Sequence, residues 1–294
     1  MRLIIPIFAL FISYSSFTQG YIHYHNSCNE GAELIEKGLF LQAKELLNSA
    51  VKSVDEPLAI DYFNLAKCYS QLNETDSTLY FLELSLKLDS FIKAFCSIHH
   101  LWFKPVFGTE KWDQILDSNY YNYDKPTSKE QKKLVETMDK LLFLDQQYIT
   151  IQTDSIPVYY PNDTLLYNLY SDSINFNIRI IQSTLDTIIA AYGWPGKKVT
   201  GRETLDGVLL IHVSDEWFEA NSQLLIEQID KGNLMPWHYA NIADRKRHEH
   251  NLPVLYNGYF AAKNEVTEEV KINCKKIGVP LGKIRSIRAY FSMD

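Results

Sequence analysis

What this sequence lacks narrows its chemistry. It has no Gly-rich phosphate loop and no Gly-x-Ser-x-Gly nucleophile turn, so neither a backbone phosphate cradle nor a nucleophile elbow is written into it. Its 4 Cys are Cys28, Cys68, Cys96 and Cys274. No two of them stand at metal-ligand spacing, which argues against zinc. Basic residues are outnumbered, 29 Lys and Arg against 36 Asp and Glu, and the net charge of -7 argues against non-specific nucleic-acid binding, which needs a surface that neutralises phosphates. Beyond the N-terminus there is no apolar run long enough to cross a bilayer. No cofactor and no metal are expected, and the pattern names no reaction, so an enzyme is not the leading reading.

What is present begins with an address. Arg2 precedes an apolar run from Leu3 to Ile12, interrupted by Pro6 and too short to span a membrane. Ser16 and Thr18 are small residues suited to cleavage before Gln19, so residues 1–18 read as a signal peptide. The mature chain is expected to be exported, periplasmic or secreted, with no membrane span after cleavage. An oxidising compartment permits disulfides. Even so, Cys68 and Cys96 sit in helical patterns, where the preferred reading is a small buried hydrophobe.

From Glu30 to about Asp89 one helical pattern occurs twice. The first copy carries Gly38, Ala43, Leu47 and Ala50; the second carries Tyr62, Leu65, Ala66, Tyr69, Asn73, Thr78, Leu82 and Ser85. Ala43 and Thr78 are equivalent, and 78 − 43 = 35, close to the ~34-residue period of tetratricopeptide repeats. Gly38 and Asn73 fall at the turns, where a positive φ is needed. The stretch therefore resembles about two degenerate tetratricopeptide repeats, and Phe91 to Leu116 reads as the cap over the last apolar face. The hairpins with their cap are assigned to residues 28–118 and a linker ending at Pro126-Thr127 to residues 119–127. Such arrays bind a protein or peptide partner, or else brace a neighbouring domain.

Residues 128–294 read as a helical domain with one short extended segment near Leu252 to Phe260, so the fold class is all-α. Ser128 caps the first helix, and Ser171 or Asp172 is expected to cap a long one that ends at Gly193. The next helix is expected from Thr204 through His212. His212 and Asp215 then stand three apart and share a face, while Asp244 and His248 stand four apart on another helix with Arg245 beside them. A carboxylate can hold an imidazole in one tautomer for proton transfer, and Arg245 can hold an anion through two bonds. His212, Asp215, Asp244 and Arg245 are the catalytic candidates; Trp194, Arg245, His248 and Tyr256 are the ligand-binding candidates. The competing expectation is a structural network in which Asp244 and Arg245 brace helices while Lys246 belongs to a solvated charged face.

Asp145-Gln146, Asp172 with Asn175, Gly193-Trp194-Pro195, His212 after an apolar run, and Asp244-Arg245 occur in that order. This ordered set resembles a bacterial family known as domain of unknown function family 6624, over roughly Ser128 to Ile287. The resemblance implies a domain and no reaction. The family tends to carry a Gln and then Tyr-Gly followed by Thr or Ser after the Asp-Arg pair, whereas this chain has Val254-Leu255-Tyr256-Asn257-Gly258. The sequence thus points to an exported protein- or peptide-interaction module, with a hydrolase or small-ligand binder as the alternative. The N-terminal reading has a direct check: the mature protein from an export-competent host is expected to start near Gln19, measured by intact mass, and an uncleaved Met1 in the membrane fraction would refute it.

Overall fold

The computed structural model describes residues 20–89, 92–118, 128–149, 155–160, 162–200, 205–256 and 266–281. The expected signal peptide and linker lie outside the described residues. Among the described residues the chain is all-α, with no strand. The first six helices are α1 (Tyr21–Glu36), α2 (Phe40–Lys52), α3 (Ala59–Gln71), α4 (Thr75–Leu88), α5 (Ile92–Ile98) and α6 (Glu110–Asp117), with a 3-10 turn at His100–Phe103 before α6. Then follow α7 (Lys129–Gln146), α8 (Ile156–Tyr159), α9 (Thr164–Tyr192), α10 (Lys197–Thr200), α11 (Leu205–Leu210), α12 (Asp215–Asp230), α13 (Pro236–Glu249) and α14 (Glu268–Ile277).

Helices α1–α2 and α3–α4 form two hairpins. Their turns carry Gly38 at φ +73 and Asn73 at φ +58, so the equivalent positions 35 residues apart (73 − 38 = 35) both take the left-handed backbone that ends a helix. The hairpin crossing is close at Gly31, where a Cβ would meet the Leu47 side chain at 2.7 Å. One apolar cluster joins Tyr24, Cys28, Leu47 and Leu65, and a second joins Phe63, Leu82, Phe103 and Trp112. That second cluster includes residues of α5, the 3-10 turn and α6, so these close the end of the array.

The first hairpin starts earlier than its repeat pattern suggests, and the reason is packing. Helix α1 is sided twice. Tyr24, Cys28 and Ile35 enter the hairpin core, while Ile22 packs on the core of the C-terminal half. His25 lies edge-on to Trp237 at 6.2 Å, and the Asn29 side chain donates to the Gly278 carbonyl at 3.1 Å.

The core of the C-terminal half gathers Met138 of α7, Leu185 of α9, Leu209 and Leu210 of α11, Leu225 of α12, Ala240 of α13 and Cys274 of α14. Ser128 caps α7 as expected and forms a full capping box, accepting from Gln131 N at 3.0 Å while the Gln131 side chain accepts from Ser128 N at 3.2 Å. Two expected boundaries move. Helix α9 does not begin at Ser171 or Asp172; Asp163 caps it, accepting from Leu166 N at 2.9 Å. Nothing between Thr164 and Ser171 breaks a helix, so the earlier cap wins. Helix α11 stops at Leu210, before His212, because Ser214 caps α12 by accepting from Trp217 N at 3.2 Å and holds the residues before it in a turn.

At 29 residues, α9 is about 43 Å long at 1.5 Å per residue. Its buried residues, Asn177, Ile181, Leu185 and Ile188, all lie in its C-terminal part. This division gives a stability contrast. Leu185→Ala is expected to cost about 2–5 kcal/mol through a core cavity, whereas Leu169→Ala stays within about 0.5 kcal/mol. Denaturant melts of the two variants check it, and equal losses would mean that the N-terminal half of α9 is packed in solution.

Candidate functional site

The sequence places His212 and Asp215 on one helix face; the fold separates them. His212 occupies the turn between α11 and α12, and its Nδ1 lies 2.9 Å from both carboxylate oxygens of Asp145 on α7. The Asp145 side chain is 1% exposed and that of His212 20% exposed. The Gln146 side chain also donates to Asp145 at 2.6 Å. A buried carboxylate thus fixes the imidazole from the ring nitrogen that faces it, leaving the imidazole half-buried at the edge of the core.

Asp215 serves elsewhere. As the first residue of α12 it accepts from Lys246 Nζ at 2.7 Å and lies 2.6 Å from His250 Nε2, and Lys246 Nζ also donates to the Val213 carbonyl at 2.7 Å. Lys246, then His250, holds the Asp215 carboxyl below its ordinary range. The expected solvated role of Lys246 is therefore corrected. Its ammonium lies over the Phe218 ring at 5.8 Å, and it ties α13 to the start of α12.

The Asp244-Arg245 pair splits. Asp244 is fully buried and accepts from Leu255 N at 2.7 Å and Tyr256 N at 3.0 Å. It holds the chain that leaves α13 against the helix, supplying acceptors for backbone donors that have no ladder to join. Arg245 points outward to Glu249 at 2.9 Å, one turn along the same helix. It braces no second helix, which corrects that expectation; on a helix, neighbouring side chains diverge by about 100°, so burial of one turns the other away. His248 is at the surface, on the partly exposed side of α13. Tyr256 is buried, its ring edge-on to Tyr239 at 5.9 Å, and burial pushes its hydroxyl above the ordinary tyrosine range. Trp194 is 2% exposed and lies within the C-terminal core.

The candidates therefore do not meet in one pocket. They divide into a buried Asp145–His212 pair, an Asp215–Lys246–His250 cluster at the start of α12, and a loop closure on Asp244. Among the described residues no three His, Cys, Asp or Glu side chains are arranged to hold a metal ion. All four cysteines are buried and none is in a disulfide, and burial pushes the Cys68 and Cys96 thiols up to about 12, so neither is a thiolate nucleophile at neutral pH.

The sequence reading did not couple Asp145 to His212. A signal was present, because Leu134, Met138, Leu141 and Asp145 follow one 4-3-4 stripe, and a carboxylate on an apolar stripe demands a partner. It also missed a cleft of about 430 Å³ between α1 and α14, lined by Asn29, Glu30, Glu33, Lys271, Lys275 and Leu281 among others. No family model, no curated protein and no solved structure matches the chain.

The geometry fixes a hierarchy of stability effects. Asp244→Ala strands a buried and a part-buried backbone donor and is expected to cost about 2–4 kcal/mol. Arg245→Ala removes an exposed pair along one helix and should stay within about 0.5 kcal/mol, with Lys246→Ala between the two. Because Asp215 has a depressed folded pKa, its contribution is present above the unfolded carboxylate pKa and is lost as pH falls through the folded one. Asp215→Asn should thus flatten that part of the acid limb. Melts across pH test both, and an Arg245→Ala loss equal to that of Asp244→Ala would refute the assignment.

Proposed function

We propose that this is an exported protein whose role is to bind another protein, built from tetratricopeptide-like hairpins followed by a helical half resembling domain of unknown function family 6624. Export rests on the N-terminal pattern of Arg2, the apolar run and the small residues Ser16 and Thr18. The repeat reading draws support from the two turn residues at the same position of each hairpin, Gly38 and Asn73.

One observation carries the interaction reading. Around the N-terminal half of α9, large apolar side chains stand in solvent: Leu165 at 81% exposure, Leu169 at 62%, and Phe176 at 57%. Val158, Tyr159 and Tyr160 are exposed in and after α8, and Phe143 on α7. Leu165, Leu169 and Phe176 lie on one side of α9, at i, i+4 and i+11, and large apolar side chains exposed in register along one helix are a mark of an interaction surface. From Leu141 to Ile178 there is neither Lys nor Arg, so the face lacks the cations that draw an interfacial helix to anionic lipid. An aromatic-rich helical face without cations, its one charge on the stripe being Asp172, fits the apolar face of a partner protein.

The second reading, proton transfer by His212, has one observation in its favour, the buried Asp145 carboxylate on the imidazole. No Ser or Cys is hydrogen-bonded to that ring among the described contacts, so the interaction reading stands ahead of it. The test compares two variants. Leu165→Glu/Leu169→Glu is expected to keep the wild-type melting temperature and to lose the proteins that wild type retains from its native envelope, or its own dimer by light scattering. His212→Gln is expected to retain them. A face variant that captures the same proteins as wild type refutes the reading.

A further inference from the structure

The cleft between α1 and α14 has a charge layout that the rest of the surface does not explain. On α1, Asn26, Glu30, Glu33 and Lys37 follow an i, i+4, i+7, i+11 stripe, so they line a single side of the helix. On α14, Lys271, Cys274 and Lys275 stand at i, i+3 and i+4 and form the facing wall. Leu34, Val279 and Leu281 add apolar surface between them. One end is pinned: the Asn26 side chain donates to the Lys275 carbonyl at 2.7 Å, and that of Asn29 to the Gly278 carbonyl at 3.1 Å.

Acidic and basic walls that face each other would ordinarily close by pairing. Here they do not. Glu33 pairs with Lys37 on its own helix at 3.7 Å, and Lys271 pairs with Glu268 on its own helix at 2.5 Å. Among the described residues no ion pair crosses the cleft, and neither Glu30 nor Lys275 forms one. The two helices are joined at the pinned end by the Asn26 and Asn29 side chains, and the rest of the cleft, about 430 Å³, is lined by acidic residues of α1 and basic residues of α14. That volume lies within the usual range for small-ligand sites, about 300–1,000 Å³.

We infer that this cleft binds a short unblocked peptide, its ammonium end toward Glu30 and Glu33, its carboxylate end toward Lys271 and Lys275, and an apolar side chain against Leu34 and Val279. A ligand carrying both charges completes pairs that the walls cannot make with each other, and the apolar strip excludes ligands that are only ions. The inference gives a peptide chemistry to the interaction reading and rests on it in that respect, but it uses a different surface from the α9 face. Because α1 and α14 belong to the two halves of the chain, occupancy would also brace one half against the other.

The test is isothermal calorimetry on the full mature chain with the tripeptide Gly-Leu-Gly, unblocked, N-acetylated and C-amidated. Loss of one charge-assisted contact corresponds to about a tenfold weaker affinity, so each blocked form should bind about tenfold more weakly than the free peptide. Glu30→Lys should abolish the penalty for acetylation, and Lys275→Glu the penalty for amidation. Both positions are exposed on helices, so folding is not at stake. Equal affinity of free and blocked peptides, or no heat at millimolar peptide, overturns the inference. The α9 variants are read separately, so loss of this site and loss of the interaction reading are distinguishable.

Discussion

Helix α1 is buried on two sides, and the arrangement of the rest follows from that. Its Tyr24 is fully buried, donates to the fully buried Asp61 carboxylate of α3 at 2.5 Å and accepts from Leu58 N at 2.7 Å. One hydroxyl thus joins α1 to the start of α3, bonding to an α3 carboxyl and to the backbone before it. On the other side the neighbouring His25 lies between Tyr24 and Trp237, while the backbone of Ile22 and the side chains of Asn26 and Asn29 bond to α12 and to the end of α14. A helix committed to two cores cannot adjust to one without disturbing the other. The hairpins are therefore not a free-standing array tethered by a linker; their first helix is part of the wall of the second half.

Buried carboxylates do the corresponding work in the C-terminal half. Asp145 lies at the end of α7 and Asp244 within α13, and each is matched to donors: the Gln146 amide and the His212 imidazole for one, two successive backbone N–H groups of the segment after α13 for the other. A charge so placed is tolerated only because its partners are complete, which makes it more useful for fixing a loop than for adding net stability. Asp215 differs in kind. It lies at the N-terminal end of α12, where the helix dipole favours a negative charge, and it keeps contact with solvent. Its partners Lys246 and His250 come from the far end of α13, so the cluster aligns the two helices rather than closing a pocket.

How much of this was legible depended on whether the signal was local. Helix class, the Ser128 cap, the Gly38 and Asn73 turns and the stop at Gly193 are decided by residues within a turn of the feature, and the expectations agree with the structure there. The α9 start was missed because two caps were available and the choice fell on the later one, although Asp163 stands directly before an unbroken helical run. The site reading failed where it assumed that nearness in sequence means nearness in space. His212 and Asp215 are three residues apart and separated by a helix cap, whereas His212 and Asp145 are 67 apart and in contact. Asp244 and Arg245 are adjacent and point about 100° apart for the elementary reason of helix geometry. The cleft could not be read at all, since its walls come from the two ends of the chain.

The interior polar groups bear on where activity resides. A group already matched to internal partners can take a substrate only by giving one of them up, at the desolvation cost of the partner left behind. Asp244 would strand two amides and Asp145 an imidazole and an amide. The buried thiols are held protonated by the same burial that packs them, which under an exported address also protects them from oxidation. The surfaces carry less of this penalty, since Glu33 and Lys271 give up only exposed pairs along their own helices. The α9 face gains by covering apolar side chains, and the α1–α14 cleft gains by completing charge pairs across a space its own side chains do not bridge. The first would release water from apolar surface and be insensitive to salt; the second would weaken as salt screens its charges. Recognition at these two places therefore differs in physical character, and a partner that uses both must present an apolar face and a charged chain terminus together.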